Sequence, residues 1–266
     1  TGRAADEGWL RLTLGSLALE SGNLEQAVTD FERAAALFEP ASDAKGARYA
    51  AGNLGRVHRL RGEYEEALAS FTRTSELCAA AGDRYGVAIG ENNLGEVYRE
   101  MDDLPQAIAH FRQSATLCRA AAEDRDILAI VLGNLAEACL AADDEAPALS
   151  AATESLALAD ALQMADQQGI AGRILGQLAH RRGDEAAADH YLQESVDLLA
   201  AAGLQEELAK SHESYGRFLA GTGARAAAER HLRDALHIFQ TLGATARAAK
   251  IEQLLNAPPG ANENGG

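Results

Sequence analysis

Histidines and acidic residues are the side chains of this 266-residue sequence that are best suited to proton transfer or metal binding. None of the seven histidines belongs to an HExxH pattern or lies beside a cysteine, and His231 and His237 are six positions apart, on different faces of a helix. The acidic pairs Asp102-Asp103 and Asp143-Asp144 stand where helices are expected to begin, and solvated capping explains them. These spacings predict no catalytic residue and no metal site.

The cysteines and the glycine-rich segments do not indicate a cofactor either. Cys78, Cys118 and Cys139 form no CxxC pair and are odd in number, so we expect no disulfide framework and a reducing, cytoplasmic environment. The sequence contains no GxxxxGK[ST] phosphate loop, no nucleophile elbow and no dinucleotide-binding fingerprint. We therefore predict a protein without a cofactor that is not an enzyme.

The composition favours a helical protein and restricts its partners. The formal net charge is −16, with 40 acidic and 24 basic residues, so the overall field repels nucleic acids and anionic membranes. No apolar run is long enough to span a bilayer. Abundant alanine and only 5% aromatic residues favour closely packed helices, and the scarcity of lysine is typical of a bacterial, GC-rich genome. The sequence does not start with Met, so we expect it to be part of a longer protein.

A leucine-glycine pair, or a close equivalent, recurs six times at steps of 40, 40, 41, 40 and 40 residues. The pairs are Leu14-Gly15, Leu54-Gly55, Leu94-Gly95, Leu135-Ala136, Leu175-Gly176 and Tyr215-Gly216. Seven residues after each small residue stands Gly or Asp, twelve after stands Ala, and twenty-two after stands Leu or Ile. This pattern predicts six helical hairpins in which a small residue of the first helix admits a large residue of the second.

The repeat also predicts the domain organisation. A single domain over 1–256 is expected to contain repeats at about 4–42, 43–82, 83–123, 124–163, 164–203 and 204–243. Residues 244–256 have an apolar helical face and are predicted to form a capping helix, which covers the last hairpin. Pro258-Pro259 and the following Gly- and Asn-rich residues predict a flexible tail over 257–266.

The motif Asn53-Leu54-Gly55, followed by Gly62, Ala67 and Phe71, resembles the tetratricopeptide repeat family over most of the chain. Its forty-residue spacing is similar to that of Pins/LGN-type scaffolds and of the sensor regions of bacterial signalling regulators. The resemblance implies an all-α, right-handed superhelical solenoid whose first helices line a concave groove. It also implies a groove that binds an extended peptide or a partner helix, as a sensor or regulatory module of a larger bacterial protein. Peptide-sensing members of the family include phosphatases, which carry a separate N-terminal helical bundle. The few residues before Trp9 are too short for that bundle, so we do not expect phosphatase activity.

The resemblance implies which residues face that groove, at positions six and two before the small residue and one and four after it. In repeats two to four these positions are Leu140 and eleven others, and we call these eleven the groove set: Tyr49, Asn53, Arg56, Arg59, Ile89, Asn93, Glu96, Arg99, Ile130, Asn134 and Glu137. The asparagines 53, 93 and 134 resemble the amide ladder of peptide-binding members. Since neighbouring helices lie about 10 Å apart, three rungs span a segment of about six to eight extended residues.

Two interpretations of the groove remain open from the sequence. Two further columns are added to the groove, at three positions before the small residue and five after it. The groove positions of all six repeats then hold seven basic and five acidic residues, which favours a protein or peptide segment of acidic or neutral character. Alternatively, the amides satisfy neighbouring polar groups, and Arg56 and Arg99 pair with Glu96 and Glu100 across helices. The groove is also open to occupation by the parent chain or by a second copy, which makes autoinhibition or self-association the alternative function; the oligomeric state does not follow from the sequence.

Overall fold

The computed structural model describes residues 2–120 and 124–256, and within these ranges it contains thirteen α-helices and no strand. The helices are α1 (Gly2–Glu20), α2 (Leu24–Ala41), α3 (Ala44–Arg61), α4 (Tyr64–Ala80), α5 (Arg84–Glu100), α6 (Leu104–Arg119), α7 (Arg125–Ala141), α8 (Glu145–Leu162), α9 (Ala165–Arg181), α10 (Glu185–Ala202), α11 (Gln205–Gly221), α12 (Arg225–Thr241) and α13 (Thr245–Asn256). Odd-numbered helices up to α11 are the first helices of hairpins, and even-numbered ones are the second. The predicted all-α class, with six hairpins and a final helix, is confirmed.

The chain divides into two compact units, Thr1–Ala138 and Cys139–Gly266. In the first unit, consecutive helices from α1 to α6 pack on one another, and α1 also contacts α3. In the second unit, the same holds from α8 to α13, and α9 also contacts α11. Thus α1 lies beside α3 in the first unit and α9 lies beside α11 in the second, so neighbouring first helices place side chains on a common face.

The turns within hairpins depend on left-handed backbone at the predicted position. Gly62 ends α3 with φ of 73°, and its N–H donates to the carbonyl of Arg59. Asp102 occupies the equivalent position in hairpin three with φ of 63°, a conformation that aspartate adopts more readily than most residues. Asp103 then accepts a hydrogen bond from the N–H of Gln106 and caps α6, as predicted. Asp144 stands at the same place before α8, but its side chain makes no capping hydrogen bond.

In five of the six hairpins a glycine of the first helix faces a large residue of the second. A Cβ atom added to Gly55 would lie 2.6 Å from the ring of Phe71, so α3 and α4 approach closely only because this position is glycine. The same relation, at 2.6 to 2.7 Å, joins Gly15 to Phe31, Gly95 to Phe111, Gly176 to Leu192 and Gly216 to Leu232. The leucine-glycine pair of the sequence is therefore a packing motif.

The last helix closes the second unit. Helix α13 packs on α12, and its residues Ala248 and Ile251 are buried against Leu232 and Phe239. This agrees with the capping helix predicted from residues 244–256. The predicted flexible tail over 257–266 lies outside the described residues.

Candidate functional site

All eleven residues of the groove set lie in the first compact unit, on α3, α5 and α7. On each helix they are spaced by three or four residues, so they share one helical face. None is buried: Tyr49 and Arg56 are exposed and the other nine are half-buried. The structure therefore presents a face of three first helices that no described helix covers.

Charged residues connect these helices to one another. Arg59 of α3 contacts two carboxylates of α5, at 3.2 Å from Glu96 and 2.6 Å from Glu100. Arg99 of α5 pairs in turn with Glu137 of α7. Cross-helix pairing is therefore present, although its partners differ from the predicted ones. Because all these side chains are partly solvated, each pair contributes about 1 kcal/mol or less.

Arg56 differs from the other two arginines. It is exposed, and its Nη1 donates a long hydrogen bond of 3.4 Å to the side chain of Asn53. Within residues 2–120 and 124–256, no carboxylate lies within ion-pair distance of it. Arg56 is thus the cation of the groove set that is available to an incoming anionic group.

The three asparagines are partly engaged by the protein itself. Asn53 donates to the carbonyl of Tyr49, one turn earlier in α3, at 3.0 Å. Asn134 donates to the side-chain oxygen of Asn92 at 3.0 Å, so α5 contributes Asn92, not Asn93, to this link. Asn93 is half-buried on the same face. A side-chain amide has two N–H donors and an oxygen with two lone pairs. Asn53 therefore keeps an N–H for a ligand, whereas Asn134 also donates a long hydrogen bond of 3.4 Å to Glu96 and offers a ligand its oxygen.

The aromatic residues at one end of the face have different environments. Tyr49 is 53% exposed and meets Trp9 edge to face, with ring centroids 5.8 Å apart. Trp9 is packed against Phe38, and its indole N–H donates to Asp43 at 3.0 Å. Of these two aromatic residues, Tyr49 is therefore the one that presents its ring to solvent. Ile89 and Ile130 occupy the equivalent positions on α5 and α7 and continue an apolar row.

A second concave surface lies among α2, α3 and α4. It is an open cavity of about 670 Å³ lined mainly by small apolar residues such as Ala47 and Ala51, with Leu54 and Leu77 beside them. No residue of the groove set lines it. Its polar lining residues are Glu39, Ser42, Asp43, Ser70 and Arg73.

Sequence reasoning missed a cluster in the second unit. His212 of α11 and His231 of α12 face each other with their Nδ1 atoms 2.9 Å apart, and the carboxylate of Asp234 lies close to both. The prediction of no metal site considered spacings along single helices only. The signal that could have revealed the cluster is the separation of nineteen residues between His212 and His231. In other hairpins of this chain the same separation joins a residue of the first helix to one of the second.

None of the helices among the described residues has the length and apolar character needed to cross a membrane. A search of curated proteins found no match. A family model described as tetratricopeptide repeat matches residues 6–80 and 86–161, which together are more than half of the chain.

Several solved structures are similar in fold. The apo form of RapI is 12% identical, with a TM-score of 0.75, over 90% of this chain and 85% of that one. A Rap protein complexed with Competence and Sporulation Factor is 14% identical, with a TM-score of 0.65, over 94% of this chain and 74% of that one. A signal-transduction ATPase from Pyrococcus horikoshii with a tetratricopeptide repeat sensor is 15% identical, with a TM-score of 0.71, over 95% of this chain and 40% of that one. At these identities the likeness supports the predicted helical solenoid class and nothing finer.

Proposed function

The chain belongs to the tetratricopeptide repeat family, and from this premise we propose that it is a non-catalytic protein-interaction module that binds an extended peptide or a partner helix on the groove set. The observation that carries the proposal is the uncovered face of α3, α5 and α7. On it an apolar row, Tyr49, Ile89 and Ile130, runs beside a row of amides with unused hydrogen-bonding groups.

That combination suits a polypeptide ligand. Side-chain amides donate to and accept from peptide groups along a backbone, while the apolar row takes alternate side chains of the ligand. The partly exposed ion pairs between neighbouring first helices hold the arginines and glutamates in place, so the face is preorganised at little entropic cost upon binding.

The charges of the face favour a partner of acidic or neutral character. Arg59 and Arg99 are already neutralised by glutamates, whereas Arg56 is exposed next to Asn53. A single available cation in a chain of net charge −16 is a local attractor for one carboxylate of a ligand. We infer that the anionic residue of the partner lies near α3, at the Tyr49 end of the face.

The relatives provide a context for this module. One similar structure is a Rap protein complexed with Competence and Sporulation Factor, and another is a sensor within a signal-transduction ATPase. By analogy, we propose that the chain acts as the sensing part of a larger bacterial regulator in the cytoplasm.

Replacing Asn53, Asn93 and Asn134 together by Ala tests this function. Peptides are first selected from a displayed random library on the wild-type protein, and their affinities are then measured by fluorescence polarisation. Each lost hydrogen bond costs about 0.5–1.5 kcal/mol, so the triple variant is expected to bind about 10- to 1000-fold more weakly.

The matched control replaces three exposed amides of second helices, Gln113, Gln193 and Gln240, by Ala. This variant should keep wild-type affinity. Equal affinity of all three proteins for the selected peptides would remove the groove set as the binding face. A wild-type chain that selects no peptide and sediments as a dimer would instead support self-association.

A further inference from the structure

Residues nineteen apart form a recurring pair that bridges the two helices of a hairpin. In hairpin one, Arg11 pairs with Asp30 at 2.8 Å, and in hairpin three His110 contacts Glu91 at 2.8 Å. Both pairs combine a base with an acid, so each partner compensates the charge or the hydrogen-bonding demand of the other.

Hairpin six has two bases at the same pair of positions. His212 and His231 are equivalent in the repeat to Glu91 and His110, and their Nδ1 atoms are 2.9 Å apart. Two nitrogen lone pairs repel one another unless something electropositive lies between them. Unlike the pairs of hairpins one and three, this pair lacks an acid within it.

A carboxylate stands next to the two imidazoles. Asp234 follows His231 by three residues on α12, and one oxygen of it lies within 4.8 Å of a nitrogen of each histidine. His231 is only 5% exposed, and the ring of Tyr215 packs on it with centroids 4.6 Å apart. Tyr215 is itself fixed by a hydrogen bond of 2.8 Å from its hydroxyl to Asp189. Of the three side chains, His231 is thus buried, His212 is half-buried and Asp234 is exposed.

We propose that His212, His231 and Asp234 bind a divalent transition-metal ion of the Zn²⁺ or Ni²⁺ type, which clamps α11 to α12 in hairpin six. A ligand set of two imidazoles and one carboxylate favours these ions over Mg²⁺ and Ca²⁺, which prefer oxygen ligands. Burial lowers the pKa of both histidines, that of His231 to about 4, so both rings are neutral at pH 7, as metal ligands must be.

The geometry needs only a small adjustment. At Zn–N distances of about 2.0–2.1 Å, two nitrogens at a tetrahedral angle are roughly 3.3 Å apart, so the rings must separate by a few tenths of an ångström from 2.9 Å. Three protein donors leave a coordination position for water or for a group of a binding partner.

Arg230 opposes binding of the ion, because its guanidinium lies beside His231. Its Nη2 lies 3.4 Å from Nε2 of His231, the ring nitrogen that does not face His212. For Nδ1 to coordinate a metal, the proton of a neutral His231 must reside on Nε2, where it faces the Arg230 guanidinium. Arg230 is exposed, so it can turn toward solvent when the ion binds. Removal of its charge should therefore strengthen binding.

Calorimetric titration of the untagged, metal-free chain with zinc chloride, and separately with nickel chloride, tests the site. We expect one ion per chain and a higher melting temperature in its presence. His212→Gln and Asp234→Asn should each weaken binding about 10-fold or more, on the scale of losses measured around metal sites. Arg230→Gln should tighten it, and His237→Gln, an exposed histidine of the same helix, should leave it unchanged.

The outcomes separate the proposal from its alternatives. No binding by the wild type, or equal binding by wild type and Asp234→Asn, overturns it and leaves the histidines as a simple hydrogen-bonded pair. Equal binding by His212→Gln would place the ion elsewhere, for instance on a thiol. If His212→Gln loses helicity, Asp234→Asn and Arg230→Gln decide, because both residues are exposed and do not belong to the core.

Discussion

Replacing Ala67 by Asp should abolish the cooperative folding of hairpins two and three. Ala67 is completely buried and packs in one cluster with Phe71, Leu94 and Val97, which belong to α4 and α5. An aspartate there must either leave an unpaired charge in the core or take up a proton and remain without a partner. We expect the free energy of unfolding to fall by about 4 kcal/mol or more, which is a large part of the 5–15 kcal/mol of a typical domain.

Ala69→Asp is the matched control for this substitution. It makes the same chemical change two residues later in α4, at an exposed position. Its free energy of unfolding, measured by urea titration followed by circular dichroism, should stay within about 0.5 kcal/mol of that of the wild type. Ala67→Asp, in contrast, should show reduced helicity even without denaturant. A common unfolding curve for both variants would show that α4 does not pack through Ala67.

The architecture was predictable because its determinants recur and act locally. Positive φ at Gly62 and at Asp102 follows from one column of the repeat, and close helix approach at Gly55 follows from another. Each of these requirements involves a helix and its immediate neighbour in sequence. A regular spacing of 40 residues was therefore sufficient to place six hairpins and a final helix.

The side-chain connections of the groove set were less predictable. Arg59 and Arg56 are both long cations on one face of α3, yet Arg59 reaches Glu96 and Glu100 while Arg56 contacts Asn53. Which cation reaches the next helix depends on a difference of one helical turn and on the rotamers of both partners. A repeat pattern identifies columns, but it does not determine these pairings.

The histidine pair shows the same limit for chemistry. His212 and His231 are unremarkable in spacing along either helix, and only the hairpin brings their rings together. The comparison of equivalent positions within the chain could have revealed them, since Arg11 with Asp30 and Glu91 with His110 mark the same pair. Polar residues in two columns that face each other across a hairpin therefore indicate a cluster that no motif along a single helix reveals.

Replacing Phe71 by Ala should lower the free energy of unfolding by about 3–5 kcal/mol, because the ring is fully buried and packs against α3 and α5. The substitution leaves a cavity directly opposite Gly55. Thermal or urea unfolding measures the loss, and Phe71→Leu should cost less because leucine stands at this position in hairpins five and six.

Because Gly55 packs against Phe71, the effect of Gly55→Ala on the free energy of unfolding should change sign when Phe71 is also replaced. In the wild type, Gly55→Ala places a methyl group 2.6 Å from the Phe71 ring, and overpacking should outweigh the gain in helix propensity, for a net loss of about 1 kcal/mol. In the Phe71→Ala background the methyl group enters the cavity, so the same substitution should stabilise by about 0.5–1 kcal/mol.

The chain itself contains a natural counterpart of that double variant, and a control for it. Repeat four has alanine both at the small position, Ala136, and at the large one, Ala152. As the control, Gly52→Ala changes a glycine of the same helix whose added Cβ would meet only Thr74, at 3.8 Å, so it should stabilise in either background. If Gly55→Ala has the same effect with and without Phe71, the two residues are not coupled. The leucine-glycine repeat would then need an explanation other than close packing, since the contact that makes glycine necessary would carry no energy.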